Sequence, residues 1–290
     1  MQTATETSTA HIELISLYGP AVASTRLRVM PLIPPLQRQG FAPSSRFALE
    51  GDALSSWLRG GWGRIVALWQ SRRQLRSMRN GLSNCSLAVV QREALPLNSL
   101  AIERFLDRKG VPFIWDVDDA LWATHRAPAS LIRGSRSKYV WLATHAHEVW
   151  AGNAHIARWA VSNGARRVRI VPTTVIVTKD TKHSREDNLL VWIGTQSTAG
   201  FLEKLLADIQ DALTSWRILV VGATINIPEH VQVEHQPWSI ENERVALARA
   251  TLGQDTTEKS TQAAAGRVHG PHHGLRRVHQ LQEHRRLQLG

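Results

Sequence analysis

Phe113-Ile114-Trp115-Asp116-Val117-Asp118-Asp119-Ala120-Leu121-Trp122 is an apolar run that meets three carboxylates within four positions before apolar residues resume. Such a run, closed by acids, reads as a buried strand ending at the rim of a sheet. In open α/β sheets ligands bind at that rim, outside the carboxyl ends of the strands. Upstream, Leu87 to Val90 is a second short buried strand with Gln91-Arg92-Glu93 at its end, and His11 to Tyr18 is a first strand broken by Gly19-Pro20. A weak strand lies near Phe47. Downstream, Glu148 to Asn153 is a strand with its turn, and Val168 to Pro172 is another.

Helical patterns alternate with these strands. Ser24 or Thr25 can cap a helix running towards Gly40, kinked or shortened by Pro31, Pro34 and Pro35. Trp57 to Met78, Ile102 to Arg108, Leu131 to Ala146 and Ile156 to Ser162 read as further helices. After the polar stretch 176–188 the alternation restarts. Leu189 to Ile193, Arg217 to Gly222 and Val231 to Val233 read as strands; Phe201 to Leu213, and Ser239 or Asn242 to about Ala250, read as helices. Short connections between alternating strands and helices are the pattern of βαβ units on a parallel sheet. The expected fold class is therefore α/β, in two halves, the second incomplete. Residues 1–10 are read as a disordered N-terminus, 11–175 as the first domain, 176–188 as a linker, 189–250 as a partial second domain and 251–290 as a separate tail.

With 290 residues, 43 % of them hydrophobic and 20 % charged, the chain can build a sizeable core. The net charge of +11 invites a nucleic-acid reading, but the tail from residue 256 onward carries +4 of it and the rest is scattered. The interleaved basic and aromatic pattern of a nucleic-acid binder is missing, and peripheral contact with an anionic membrane or a phosphorylated ligand fits the charge equally well. A single cysteine, Cys85, excludes an internal disulfide and a cysteine-rich zinc site. No basic-then-apolar leader opens the chain and no apolar run reaches about 18 residues, so a soluble cytoplasmic protein is expected. All 11 Trp lie at or before Trp238, and five of the 13 His lie in the tail. The tail reads as a disordered basic segment or as the product of a shifted reading frame.

Several segments stand in the order found in family-4-type (group 1) glycosyltransferases: Ser24-Thr25-Arg26-Leu27-Arg28, Val89-Val90-Gln91-Arg92-Glu93, Trp115 to Trp122, Ala151-Gly152-Asn153, Val171-Pro172-Thr173 and Trp192-Ile193-Gly194-Thr195-Gln196-Ser197-Thr198. The chain resembles that family from about His11 to Ala250. The resemblance implies two Rossmann-like domains of GT-B type facing across a cleft. It also implies a nucleotide-sugar donor on the second domain, a glycan or lipid-linked acceptor on the first, and retention of anomeric configuration. No cofactor is implied beyond the nucleotide-sugar substrate, and no metal. An Asp-x-Asp pattern, Asp116-Val117-Asp118, also fits a cation-dependent transferase of single-domain type, against which the second set of strands stands.

Glycosyl transfer needs a diphosphate neutralised as it leaves, an acceptor hydroxyl relieved of its proton, and an oxocarbenium-like centre stabilised. Asp116, Asp118 and Asp119 are the candidates for the carboxylate work. Arg26 and Arg28 add charge beside Ser24 at a helix start, and Glu93 and Asn153 close other strand ends. Gly194, Gln196, Ser197 and Thr198 form a small-residue loop whose backbone N–H groups can approach a diphosphate. The Arg and Lys pair that many relatives place near that loop is not evident, and nothing after Thr251 matches the family's Glu-bearing donor motif. An impaired transferase is the expectation, with a non-catalytic nucleotide- or sugar-binding remnant as the alternative.

Overall fold

A computed structural model describes residues 9–59, 61–123, 136–174, 185–226, 231–255 and 267–268. The chain divides into two compact units, Met1–Ile176 and Val177–Gly290.

The first unit is one parallel sheet of β1 (His11–Tyr18), β2 (Ala42–Leu49), β3 (Leu87–Gln91), β4 (Phe113–Val117), β5 (Glu148–Ala151) and β6 (Val168–Ile170), in spatial order β2-β1-β3-β4-β5-β6. Its central strands are buried on both faces, as the continuous apolar runs require. Alternate side chains feed two cores. Ile15, Val90, Trp115 and Val149 enter the larger one, and Ile12, Leu14, Val89 and Ile114 enter the other. The connecting helices are α1 (Ala23–Arg28), α2 (Ile33–Arg38), α3 (Gly51–Arg59), α4 (Trp62–Gly81), α5 (Glu103–Arg108), α6 (Arg136–His145) and α7 (Ala154–Ser162).

The second unit is a sheet of β7 (Leu189–Ile193), β8 (Arg217–Val221), β9 (Gln232–Gln236), β10 (Leu252–Asp255) and β11 (Arg267–Val268), in order β11-β10-β7-β8-β9. All its pairings are parallel except β10 with β11. Leu190, Trp192, Ile218 and Val220 pack under α8 (Ala199–Ile209), while Val191, Ile193, Leu219 and Val221 meet Ala246 of α9 (Ile240–Arg249). Among the described residues no helix is long and apolar enough to cross a membrane.

Three sequence readings change, and one expected break is found. The first helix starts at Ala23, so neither Ser24 nor Thr25 caps it; Thr25 Oγ1 instead donates 2.8 Å to the carbonyl of Tyr18. The helix towards Gly40 is broken at the prolines as expected, into α1, a 3-10 turn at Met30–Leu32 and α2. The helix expected over Trp57 to Met78 is two helices, α3 and α4, with Gly61 at φ +51 before α4. Beyond Thr251, where no strand was expected, Leu252–Asp255 pairs with β7 in the register Leu252↔Leu190. Leu252-Gly253-Gln254-Asp255 is too short and too polar to announce itself, and the open edge of β7 selects it. The start of the helix expected at Leu131, the centre of the linker, and tail residues 256–266 and 269–290 lie outside the described residues. Ser239 caps α9, its side chain accepting from Asn242 N–H at 3.0 Å, and Cys85 is buried, which raises its thiol pKa.

Candidate functional site at the carboxyl ends of the strands

Every strand of the first sheet runs in the same direction, so the turns after β1, β3, β4, β5 and β6 share one rim. The sequence places its acids there. Asp116 is the fourth residue of β4 and its carboxylate is buried against Arg28 of α1. Arg28 Nε donates to Asp116 Oδ2 at 2.8 Å, and Nη2 donates to Oδ1. The same guanidinium donates to the Val171 carbonyl at 3.0 Å and to Thr173 Oγ1 at 2.9 Å. One buried arginine thus ties α1, β4 and the segment after β6 together. Burial pushes the Asp116 carboxyl up, to about 6, against the opposing pull of the Arg28 hydrogen bond and charge.

The turn after β3 is strained and held. Arg92 sits at φ +59, a conformation that side chains other than glycine adopt at a cost. Its N–H donates to the Asp116 carbonyl at 2.7 Å, and its own carbonyl accepts from the Trp115 indole at 2.9 Å. Its guanidinium lies 3.0 Å from Asp119. Burial works against the Arg92 charge, and Asp118 and Asp119 outweigh it, so its pKa is raised. Burial likewise raises the Asp119 carboxyl, with Arg92 opposing.

Glu93 turns towards the fully buried ammonium of Lys138 at 2.7 Å, which also donates to the carbonyls of Leu97 at 2.9 Å and Leu95 at 3.3 Å. Burial raises both Glu93 and the neighbouring Glu103, and Lys138 holds them down.

Asp118 differs from its neighbours. It is buried, and its Oδ1 has no hydrogen-bond partner among the described residues. Two devices fix its position. Gly152, in the turn after β5, lies so close that a Cβ there would sit 2.9 Å from Asp118 Cα. Beyond Asp119, Trp122 stacks on Trp159 of α7 at 3.6 Å between ring centroids, pinning the loop to the core. Ser24 Oγ, Gln91 Nε2 and Glu103 Oε2 are among the other buried polar atoms of this unit without a hydrogen-bond partner among the described residues. Asn153 accepts 3.0 Å from the Ile156 N–H and caps α7, and Arg26 lies half-buried on α1.

The second sheet has a rim of a different kind. Gly194 follows β7, and its N–H donates to the Val221 carbonyl at 3.0 Å. Thr195 and Thr198 form a reciprocal capping box around the turn Gln196–Thr198 that precedes α8. Gln196 clasps the neighbouring loop, its amide donating to the Thr224 carbonyl and its carbonyl accepting from the Thr224 N–H, both at 2.9 Å. Ser197 lies in the same turn, its side chain outside the described part. Gly222, at φ +90, passes so close that a Cβ would meet the Gly194 carbonyl oxygen at 2.4 Å.

The structure therefore assembles Asp116, Asp118, Asp119, Arg28, Glu93 and Asn153 on the first rim, and Gly194, Gln196 and Thr198 on the second. Arg28 and Glu93, read as ligand contacts, each make an ion pair within the fold, with Asp116 and with Lys138. Sequence reasoning passed over Arg92 and Lys138 as site residues. Arg92 gave no sign of its backbone conformation, but Lys138 had one signal: it falls on the helix face shared by Tyr139, Leu142 and Ala143, all buried. A recess of about 330 Å³ lies at the opposite rim, at the amino ends of β4, β5 and β6, lined by His145, His147, Arg166 and Arg167 among others.

No protein-family model and no curated protein matches the sequence. Solved structures do. Anabaena HepE, solved with UDP and glucose, covers 85 % of this chain and 73 % of its own at 10 % identity, with a TM-score of 0.52. An alpha-glucosyltransferase solved with UDP and a DNA containing an HMU base covers 85 % of this chain and 72 % of its own at 10 % identity, with a TM-score of 0.51.

The chain has the GT-B fold.

Identity this low makes the likeness one of fold.

Proposed function

We propose that this GT-B chain acts on a nucleotide-sugar donor through its second unit and on a glycan or lipid-linked acceptor through its first, with donor turnover impaired. The observation that carries the reading is Asp118: a buried carboxylate at a strand end with one oxygen unpartnered among the described residues. Asp116 and Asp119 are neutralised by Arg28 and Arg92. Asp118 shares the Arg92 charge with Asp119, but its Oδ1 accepts no hydrogen bond among the described residues, so that oxygen can accept one from a sugar hydroxyl or draw its proton off. Ser24 Oγ and Gln91 Nε2 supply further polar atoms in the same unit.

On the donor side, the N–H groups of Gly194, Thr195 and Thr198 are used within the fold, so a diphosphate would meet those of Gln196 and Ser197 at the start of the turn. The described residues of the loops 194–200 and 222–226 contain no lysine or arginine to neutralise it, and Glu203 of α8 donates no charge of the right sign, its Oε1 accepting from Asn226 N–H at 2.9 Å. Weak donor binding and slow or absent turnover follow. The two notable neighbours were both solved with UDP, which makes UDP the first probe. Titration calorimetry with UDP, followed by an assay for sugar transfer or donor hydrolysis, tests the reading. Millimolar UDP binding with turnover abolished by Asp118→Asn supports the transferase. Binding without turnover favours the non-catalytic remnant. No binding of UDP or of other nucleoside diphosphates by the folded chain overturns both.

A further inference from the structure

Helix α4 carries a face that the fold leaves uncovered. Trp62 is 82 % exposed, Ile65 56 %, Val66 48 % and Trp69 59 %. These positions recur at i, i+3, i+4 and i+7, one stripe along the first two turns. Arg72 and Arg73 continue the same stripe and are exposed. Arg73 lies over the Trp69 ring at 4.3 Å, so the guanidinium and the indole share one surface. The opposite side of the helix, with Ala67, Ser71 and Met78, faces the core. The pose of the helix is fixed at its start, where a Cβ on Gly63 would meet the Ser56 carbonyl of α3 at 2.3 Å.

Monomeric proteins rarely leave two tryptophans and two branched aliphatics together in water. Along the chain, the charges flanking this stripe have one sign. No Asp or Glu occurs between Asp52 and Glu93, a span that includes the whole of α4 with Arg64, Arg72, Arg73, Arg76 and Arg79. Apolar and indole side chains beside unopposed arginines, on a helix of 20 residues lying along the protein surface, match the interface of an anionic bilayer. Indoles and aliphatics enter the headgroup–acyl boundary, and guanidinium groups meet lipid phosphates. Ile65 and Val66 have nothing to offer a nucleic-acid backbone or base edge, which sets the stripe apart from a phosphate track.

We propose that the Trp62-Ile65-Val66-Trp69 stripe of α4, with Arg72 and Arg73, docks the first unit onto an anionic lipid surface. The surface is separate from the strand-end rim, so the inference stands or falls independently of the transferase reading.

The test is flotation of the full chain with two sets of vesicles: phosphatidylcholine alone, and phosphatidylcholine with about one-third phosphatidylglycerol. The expected result is binding to the anionic vesicles, weakened by raised salt and little seen on neutral ones. Trp62→Ser with Trp69→Ser, and separately Arg72→Glu with Arg73→Glu, should each weaken it by about tenfold or more. Circular dichroism checks that both variants fold, which their exposed positions allow. Absence of vesicle binding, or binding that both variants leave intact, overturns the proposal. So does a concentration-dependent dimer, seen by light scattering and lost in the tryptophan variant without any lipid binding, because the stripe would then cover a second copy.

Discussion

The two rims of this molecule are built from opposite materials. At the end of the first sheet, Asp116, Asp119 and Glu93 are held by Arg28, Arg92 and Lys138, charge against charge, with the Arg28–Asp116 pair buried on both sides and Arg92 and Glu93 partly exposed. At the end of the second, Thr195, Thr198, Gln196 and Thr224 are joined by neutral hydrogen bonds, and two glycines pass almost in contact. A buried ion pair adds little net stability but cannot lose one member, because the survivor is then a buried charge without compensation. A neutral turn is insensitive to pH and depends on backbone shape. The first rim is thus a network that fixes carboxylate positions through electrostatics. The second is a cradle that fixes its shape through sterics.

Breaking the buried pair is the largest expected effect. Arg28→Ala should destabilise the first unit by about 3–5 kcal/mol at neutral pH, measured by urea unfolding. The paired change Arg28→Met with Asp116→Leu should recover most of that loss. The same measurement carries a pH signature. The folded-state value of Asp116, about 6, lies above its ordinary 3.8. The folded state therefore holds the proton more tightly than the unfolded chain. Ionisation of this group lowers stability as pH rises from about 4 to about 6, by an amount on the order of 2–3 kcal/mol. The Arg28→Ala loss should be smaller at pH 5 than at pH 8, because the orphaned carboxyl then takes up a proton. An equal loss at both values would mean that Asp116 is not buried as a charge.

Shape should dominate at the other rim. Gly222→Ala puts a Cβ at 2.4 Å from the Gly194 carbonyl oxygen, on a residue at φ +90. A loss of about 2–4 kcal/mol is expected, confined to the unfolding of the second unit and flat across pH 5 to 8. A pH-dependent loss would erase the contrast between the two rims. The smallest effect is Thr198→Val, which keeps the side-chain shape but removes the hydroxyl that accepts from Thr195 N–H at 3.2 Å. About 1 kcal/mol should be lost from the second unit. Calorimetry should show a larger proportional loss in UDP affinity if the turn cradles the diphosphate.

Much of the scaffold was legible. Trp115-Asp116-Val117-Asp118-Asp119 announced a buried strand and its acidic end because apolar residues and acids partition so differently between core and rim. The broken helix at Pro31, Pro34 and Pro35 and the cap at Ser239 were equally local. The partners of the acids were not local. Arg28 lies 88 positions from Asp116, and Lys138 lies 45 from Glu93. Read in isolation, Arg28 looked like a ligand contact at a helix start, whereas it is the last residue of α1, and its charge meets a buried aspartate. Leu252–Asp255 was missed for a related reason: four residues of mixed polarity become a strand only when an edge such as β7 offers its unpaired groups.

The sequence by itself determined the two α/β halves, the direction of their sheets and the gathering of carboxylates at one strand end. Those properties follow from the periodicity of apolar residues and from turn chemistry, which act over a few residues. The tertiary structure alone decided which carboxylates are neutralised, that one oxygen of Asp118 has no partner among the described residues, and that the apolar stripe of α4 faces outward. Each of those depends on what lies opposite a side chain after packing, and packing brings together residues that the chain keeps far apart.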